Sequence, residues 1–140
     1  MDIAALSDDS FLAGFAACTL PPEAFSHLGH LRIAWIHLQR YPLAHAVERV
    51  CGGIDVFARH LGVPQKYNRT LSEALVLLMA AGGGADRNVG WDAFLDRNRD
   101  LVDDARAVLA RHYSPDVLAG EAARCRFVTP DREPLPSCPC

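Results

Sequence analysis

The stretch Pro42-Leu43-Ala44-His45-Ala46-Val47-Glu48-Arg49-Val50-Cys51-Gly52-Gly53-Ile54-Asp55-Val56-Phe57-Ala58-Arg59-His60-Leu61 decides the fold class. Leu43, Val47, Val50, Ile54, Phe57 and Leu61 follow alternating steps of four and three, the spacing that lines one face of an α-helix. Pro42 suits the first turn, where its missing N–H would have had no helical partner. Gly52-Gly53 in the middle costs up to about 1 kcal/mol per glycine relative to alanine, which points to a close helix crossing or a local bend there.

The same reading extends in both directions from this seam. Upstream, a helix of about Asp8 to Cys18 follows a Ser7 cap, with Phe11, Leu12 and Phe15 inward, and stops before Pro21-Pro22. The next runs from Glu23 or Ser26 to Arg40, with Leu28, Leu31, Ala34, Trp35 and Leu38 as its apolar stripe and Arg32, Ile36, Gln39 and Arg40 facing mainly outward. Downstream, Gly62-Val63-Pro64 ends the seam and starts the next helix, on which Asn68, Leu71, Leu75 and Leu78 share a face. Gly82-Gly83-Gly84 reads as a flexible surface loop that ends this helix. Trp91 starts a short helix, Leu101 to His112 forms another, and Ser114-Pro115-Asp116 caps a last one that reaches about Arg124. No segment alternates with the period of a strand. The expectation is an all-α protein: a single compact bundle of about six or seven helices over residues 1–135, with an extended C-terminal tail and a Cys-containing extension at 136–140.

Composition narrows the function classes. The 140 residues suffice for one core, and a 50% apolar share, 22% charged share and net charge of -3 are those of an ordinary globular chain. The charge gives no footprint for nucleic acid. No apolar run approaches the ~20 residues of a membrane span, and Met1-Asp2-Ile3-Ala4-Ala5-Leu6 lacks the basic start of a secretory signal, so the cytoplasm is the expected location. The five cysteines, Cys18, Cys51, Cys125, Cys138 and Cys140, are odd in number and scattered, which predicts reduced thiols rather than a disulfide framework. Cys138-Pro139-Cys140 at the terminus could bind a soft ion or exchange disulfides, or could be a tail without a role.

Glu23-Ala24-Phe25-Ser26-His27-Leu28-Gly29-His30-Leu31-Arg32-Ile33-Ala34-Trp35 carries two histidines one helical turn apart, a two-nitrogen clamp on one face. Lys66-Tyr67-Asn68-Arg69-Thr70 opens the later apolar helix and is expected to bring Tyr67 and Asn68 to the same internal pocket as His27 and His30. His27 and His30 are the candidate metal ligands, for a divalent transition metal such as Fe, Zn, Cu or Mn. A catalytic site would need a third ligand, for which Glu23, His37 and His60 are the candidates. Without metal, His27 or His30 could act as general acid or base. Tyr67 and Asn68 would then serve as donors, and Arg32, Trp35 and Lys66 would bind substrate. Against both readings stands a pair of core histidines hydrogen-bonded to their surroundings. No nucleophile elbow, phosphate-binding glycine loop or Cys-x-x-Cys is present.

The segments Phe25 to Trp35 and Lys66 to Thr70, with Arg111-His112-Tyr113-Ser114 and Phe127-Val128-Thr129-Pro130-Asp131, resemble a family of small bacterial helical proteins over roughly residues 20–135. The family pattern is F-x-H-x-x-H-L-R-x-A-W followed by K-Y-H-x-T. His27, His30, Lys66, Tyr67 and Thr70 match it, whereas Asn68 stands where the pattern has a third histidine. The resemblance implies a third imidazole at that position, and an amide oxygen is a much poorer transition-metal ligand. It carries no established activity. Three readings follow: a small bacterial enzyme acting on a small molecule, a metal- or ligand-binding module, and a helical interaction protein without catalysis. The expected partner is a small molecule, with neither nucleic acid nor membrane, and homodimerisation stays open.

Overall fold

The seam is one unbroken helix, Leu43–His60, in the computed structural model, which describes residues 5–136. In chain order the helices are α1 (Asp8–Ala16), α2 (His27–Arg40), α3 (Leu43–His60), α4 (Arg69–Met79), α5 (Trp91–Arg97), α6 (Arg99–Ala110), α7 (Pro115–Ala119) and α8 (Glu121–Cys125). The described residues form an all-α bundle with no strand. Short 3-10 turns at Pro22–Phe25 and Pro64–Lys66 lead into α2 and α4. Among these residues no helix is long and apolar enough to cross a membrane.

The helix starts follow ordinary capping chemistry. The side-chain oxygens of Ser7, Ser26, Asn68 and Ser114 accept from the backbone N–H of Ser10, Gly29, Leu71 and Val117, satisfying donors that the first helical turn leaves open. The expected last helix divides at Gly120, whose extended backbone (φ -70°, ψ 153°) ends α7 and caps α8. Arg99–Ala110 is likewise interrupted at Asp104 (φ -153°, ψ 69°), whose carboxylate accepts from Ala107 N–H to restart the helix.

α2 is the central element, and this corrects the simple two-faced reading of it. It packs against α3 on one side and meets α1, α4, α6 and the turn after α4 on others. Ile36, expected outside, is therefore 1% exposed, while Leu28, expected inside, is 49% exposed at the helix's free first turn. Gln39 also turns inward, donating to the carbonyls of Gly84 and Asp86 at 2.8 and 2.9 Å. Arg40 does face solvent, where it pairs with Asp9.

The glycine run is a second correction. Ala80–Gly84 extends α4 as a π-helical turn, closed by Gly83 at φ +97°, a conformation that favours glycine. It is packed rather than solvent-facing: Gly84 is buried, and a Cβ on Gly82 would lie 2.1 Å from the Asn98 amide oxygen. Of the pair in α3, only Gly53 marks a close approach, since its Cβ would lie 2.4 Å from the Phe15 ring, whereas Gly52 has open space around it.

The core runs through all these elements, with Phe11, Phe57, Phe94 and Tyr113 completely buried. Burial of each such side chain contributes about 1.5–3 kcal/mol. The tail lies extended against the body. Thr70 Oγ1 donates to the Arg126 carbonyl and accepts from Val128 N–H, and the Tyr113 hydroxyl donates to the Val128 carbonyl at 2.7 Å. Arg132 and Glu133 add backbone N–H bonds to the carbonyls of His112 and Arg111. Cys138 and Cys140 lie outside the described residues.

Candidate functional site

A cavity of about 330 Å³ opens between α2, α3 and the start of α4, bordered by His27, His30, Lys66, Tyr67 and Asn68. Its remaining wall comes from Ala34 on α2, Val50 and Ile54 on α3, and Leu71, Ser72, Leu75 and Val76 on α4. The Ser26 cap fixes the first turn of α2 and so places both histidines on it. The 3-10 turn Pro64–Lys66 delivers Lys66 and Tyr67 to the opposite rim, and Asn68, capping α4, stands beside them.

The two imidazoles have distinct settings. His27 is exposed at the rim, and its Nε2–H donates to the Leu101 carbonyl on α6 at 2.8 Å. His30 is partly buried, and its Nδ1–H donates to the Ser26 carbonyl at 2.7 Å. A carbonyl only accepts, so these bonds assign the tautomers. Nδ1 of His27 and Nε2 of His30 are left as the lone-pair nitrogens. The His30 ring rests on Phe25 at a centroid distance of 4.2 Å, and Phe25 stacks on Phe57 at 4.4 Å, so the ring caps an aromatic column that reaches into the core. Burial holds the His30 pKa below its ordinary value; the Ser26 carbonyl partly opposes this and the neighbouring His27 adds to it.

Tyr67, on the cavity wall, faces Cys51 behind it. Burial, followed by the proximity of Cys51, raises the Tyr67 phenol well above its ordinary value. Burial pushes the Cys51 thiol up to about 11, which makes it an inert hydrophobe rather than a nucleophile. Lys66 is exposed at the rim and makes no ion pair among the described residues, whereas Arg69, three residues on, is held between Glu48 and Glu73. The Glu48 hydrogen bond is the main reason that the Arg69 pKa lies above its ordinary value.

Asn68 borders the cavity, yet its amide is committed elsewhere. Its oxygen caps α4, and its nitrogen donates to the Leu118 carbonyl on α7 at 2.8 Å. It is a positioning residue for the site's rim. The other expected substrate-binding residues, Arg32 and Trp35, do not border this cavity. Arg32 points to a separate cleft, where it pairs with Asp8, donates to the Leu6 carbonyl and lies 4.4 Å from the Phe11 ring centroid. Trp35 packs against Trp91 with ring centroids 5.5 Å apart. Both turn away because α2 is covered on several sides, so its successive faces meet different neighbours.

The candidate third ligands are dispersed as well. Glu23 borders the Arg32 cleft. His37 is buried beside Phe15 and Tyr41 with Nδ1–H bonded to the Ile33 carbonyl, and His60 is exposed against Phe57. Among the described residues no three His, Cys, Asp or Glu side chains come together. Among the described residues the metal donors at this cavity are the His27 and His30 nitrogens, two where a catalytic zinc centre usually has three protein ligands.

Sequence reading missed the acceptors that fix the rings, the carbonyls of Ser26 and Leu101. The Ser26 carbonyl was accessible in principle, because residue i-4 of a helical His30 is a local partner; Leu101, in another helix, was not. Ser72 could also have been found, since it follows Asn68 at four residues on one helical face. Comparison with family models, curated proteins and solved structures finds no match to this chain.

Proposed function

We propose that the protein is an enzyme acting on a small molecule bound in the His27–His30 cavity, with His30 as general base. The carrying observation is His30 itself: one nitrogen tied to Ser26, the other without a hydrogen-bond partner among the described residues, the ring bordering an otherwise mostly aliphatic cavity. Its lowered pKa keeps the imidazole neutral and able to accept a proton at physiological pH. The Ser26 bond orients the ring and supports the imidazolium that forms. Tyr67, held in its protonated form, serves as a hydrogen-bond donor, and Lys66 attracts a negative group to the rim. His27, anchored to Leu101, borders the entrance.

The test is a screen of pooled small acids, esters, thioesters and ketones with the full chain in D2O. Nuclear magnetic resonance reads both bond cleavage and deuterium incorporation next to carbonyl groups. Turnover is expected in the wild type and should fall by about 10²–10⁴-fold in His30→Gln. Turnover indifferent to that substitution overturns the assignment of the base. Saturable binding without turnover favours the ligand-binding module.

A second reading rests on the two lone-pair nitrogens sharing the first turn of α2. They form a candidate clamp for a divalent transition metal, Fe, Zn, Cu or Mn, completed by solvent or by a ligand. Metal analysis of untagged protein tests it: His27→Ala and His30→Ala should each abolish stoichiometric binding. Loss only when Cys138 and Cys140 become serine would assign the metal to the tail.

A further inference from the structure

The charge and lining of the candidate cavity carry information about the kind of molecule it accepts. Six of its wall residues are aliphatic: Ala34, Val50, Ile54, Leu71, Leu75 and Val76. Among the described residues no carboxylate borders it, and Lys66 is the one lysine or arginine that does. Asn68 has both ends of its amide engaged with backbone. A second cavity of about 270 Å³ shares His30, Ile54, Lys66 and Tyr67 with the first and adds the apolar surfaces of Pro22, Phe25, Ala58, Leu61 and Val63. There too Lys66 is the one lysine, arginine or carboxylate among the described lining residues. Two apolar compartments therefore meet at one cation that has no ion-pair partner among the described residues.

A cationic small molecule would meet Lys66 and no carboxylate among the described lining residues, and a strongly polar one would lose hydration against a wall of which half is aliphatic. An unbranched hydrocarbon gains from every methylene removed from water, and an anionic end group beside Lys66 stays at the rim, where solvent and the ammonium both reach it. We propose that the cavity binds a linear aliphatic carboxylate of medium length, with its chain among the aliphatic side chains of α2, α3 and α4 and its carboxylate at Lys66. This rests on the reading of the same cavity as the substrate site and specifies the substrate class as acyl. The arrangement also brings the carbons nearest the carboxyl group close to the rim that holds His27, His30 and Tyr67, where a base would act.

Calorimetric titration with hexanoate, octanoate and decanoate, each below its micellar concentration, tests the inference independently of turnover. Affinity should rise about fourfold per added methylene. Octanoate should bind more tightly than octanol or octylammonium, and Lys66→Met should weaken octanoate by up to about fivefold, as expected for an exposed charge pair, while leaving octanol unchanged. Lys66 is exposed, so its replacement does not threaten the fold. Absence of octanoate binding at millimolar concentration, equal or tighter binding of octylammonium, or indifference to Lys66→Met each overturns the acyl assignment. Carboxylate binding that meets these criteria without any turnover in the pooled screen upholds this inference and refutes the enzymatic reading. Turnover of a non-acyl compound without octanoate binding does the reverse.

Discussion

The Asn68 side chain joins two helices: its nitrogen donates to the Leu118 carbonyl at 2.8 Å while its oxygen accepts from the Leu71 N–H at 3.0 Å. One amide thus starts α4 and ties it to α7. Asn68→Ala should lower stability by about 2 kcal/mol, combining a lost N-cap with a lost hydrogen bond to a carbonyl. Asn68→Ser retains a capping oxygen without setting a carboxylate against the Leu118 carbonyl and should cost less. Urea unfolding of the three proteins reads the order, and equal losses for Ala and Ser would contradict the capping role. Asn68→His removes a strong capping residue, so the metal-free variant should also unfold at lower urea, whether or not the new imidazole adds a metal ligand.

The adjacent glycines of α3 should respond with opposite signs. Gly52→Ala meets nothing within 4 Å and should stabilise by about 0.5–1 kcal/mol through helix propensity. Gly53→Ala would drive a methyl group into the Phe15 ring and should destabilise by about 1–3 kcal/mol. Thermal unfolding of the two variants compares them directly, and a shift in the same direction for both would refute the packing described for α1 on α3.

Stability should fall on mild acidification. His30 and His37 both have pKa values below the ordinary 6.5, chiefly through burial. The unfolded chain therefore binds more protons than the folded one between the lowered values and 6.5, so stability rises with pH across that window. The urea midpoint should be level above about pH 7 and drop as the pH falls through 6.5. His30→Gln should flatten part of that drop. An unchanged pH profile in this variant would show that His30 protonates as readily in the folded state as in the unfolded one.

Trp35 has a buried indole N–H that meets no acceptor among the described residues. An unpaired buried donor costs about 1–3 kcal/mol, which offsets part of what the large ring gains by packing on Trp91. Trp35→Phe should therefore destabilise by less than about 1 kcal/mol, well under the 3–5 kcal/mol typical of truncating a buried tryptophan to alanine. Chemical denaturation of Trp35→Phe beside Trp35→Ala checks the comparison.

The sequence alone determined the helical class and most helix limits, because periodicity and capping are local. The alternation from Leu43 to Leu61, the Ser7 and Ser114 caps and Pro42 all act within one or two turns of their own positions. The i, i+3 spacing likewise placed His27 and His30 on one face of their helix. Only the tertiary structure decided which faces of α2 are buried, since that depends on α1, α3, α4 and α6 surrounding it. Long-range contacts set the rest: His27 turned toward Leu101, Asn68 bound to Leu118, Arg32 drawn to Asp8, and the glycine run folded against Asn98. A helix's local pattern fixes the direction of a side chain relative to its own axis, whereas the groups that meet it come from segments whose position only packing determines.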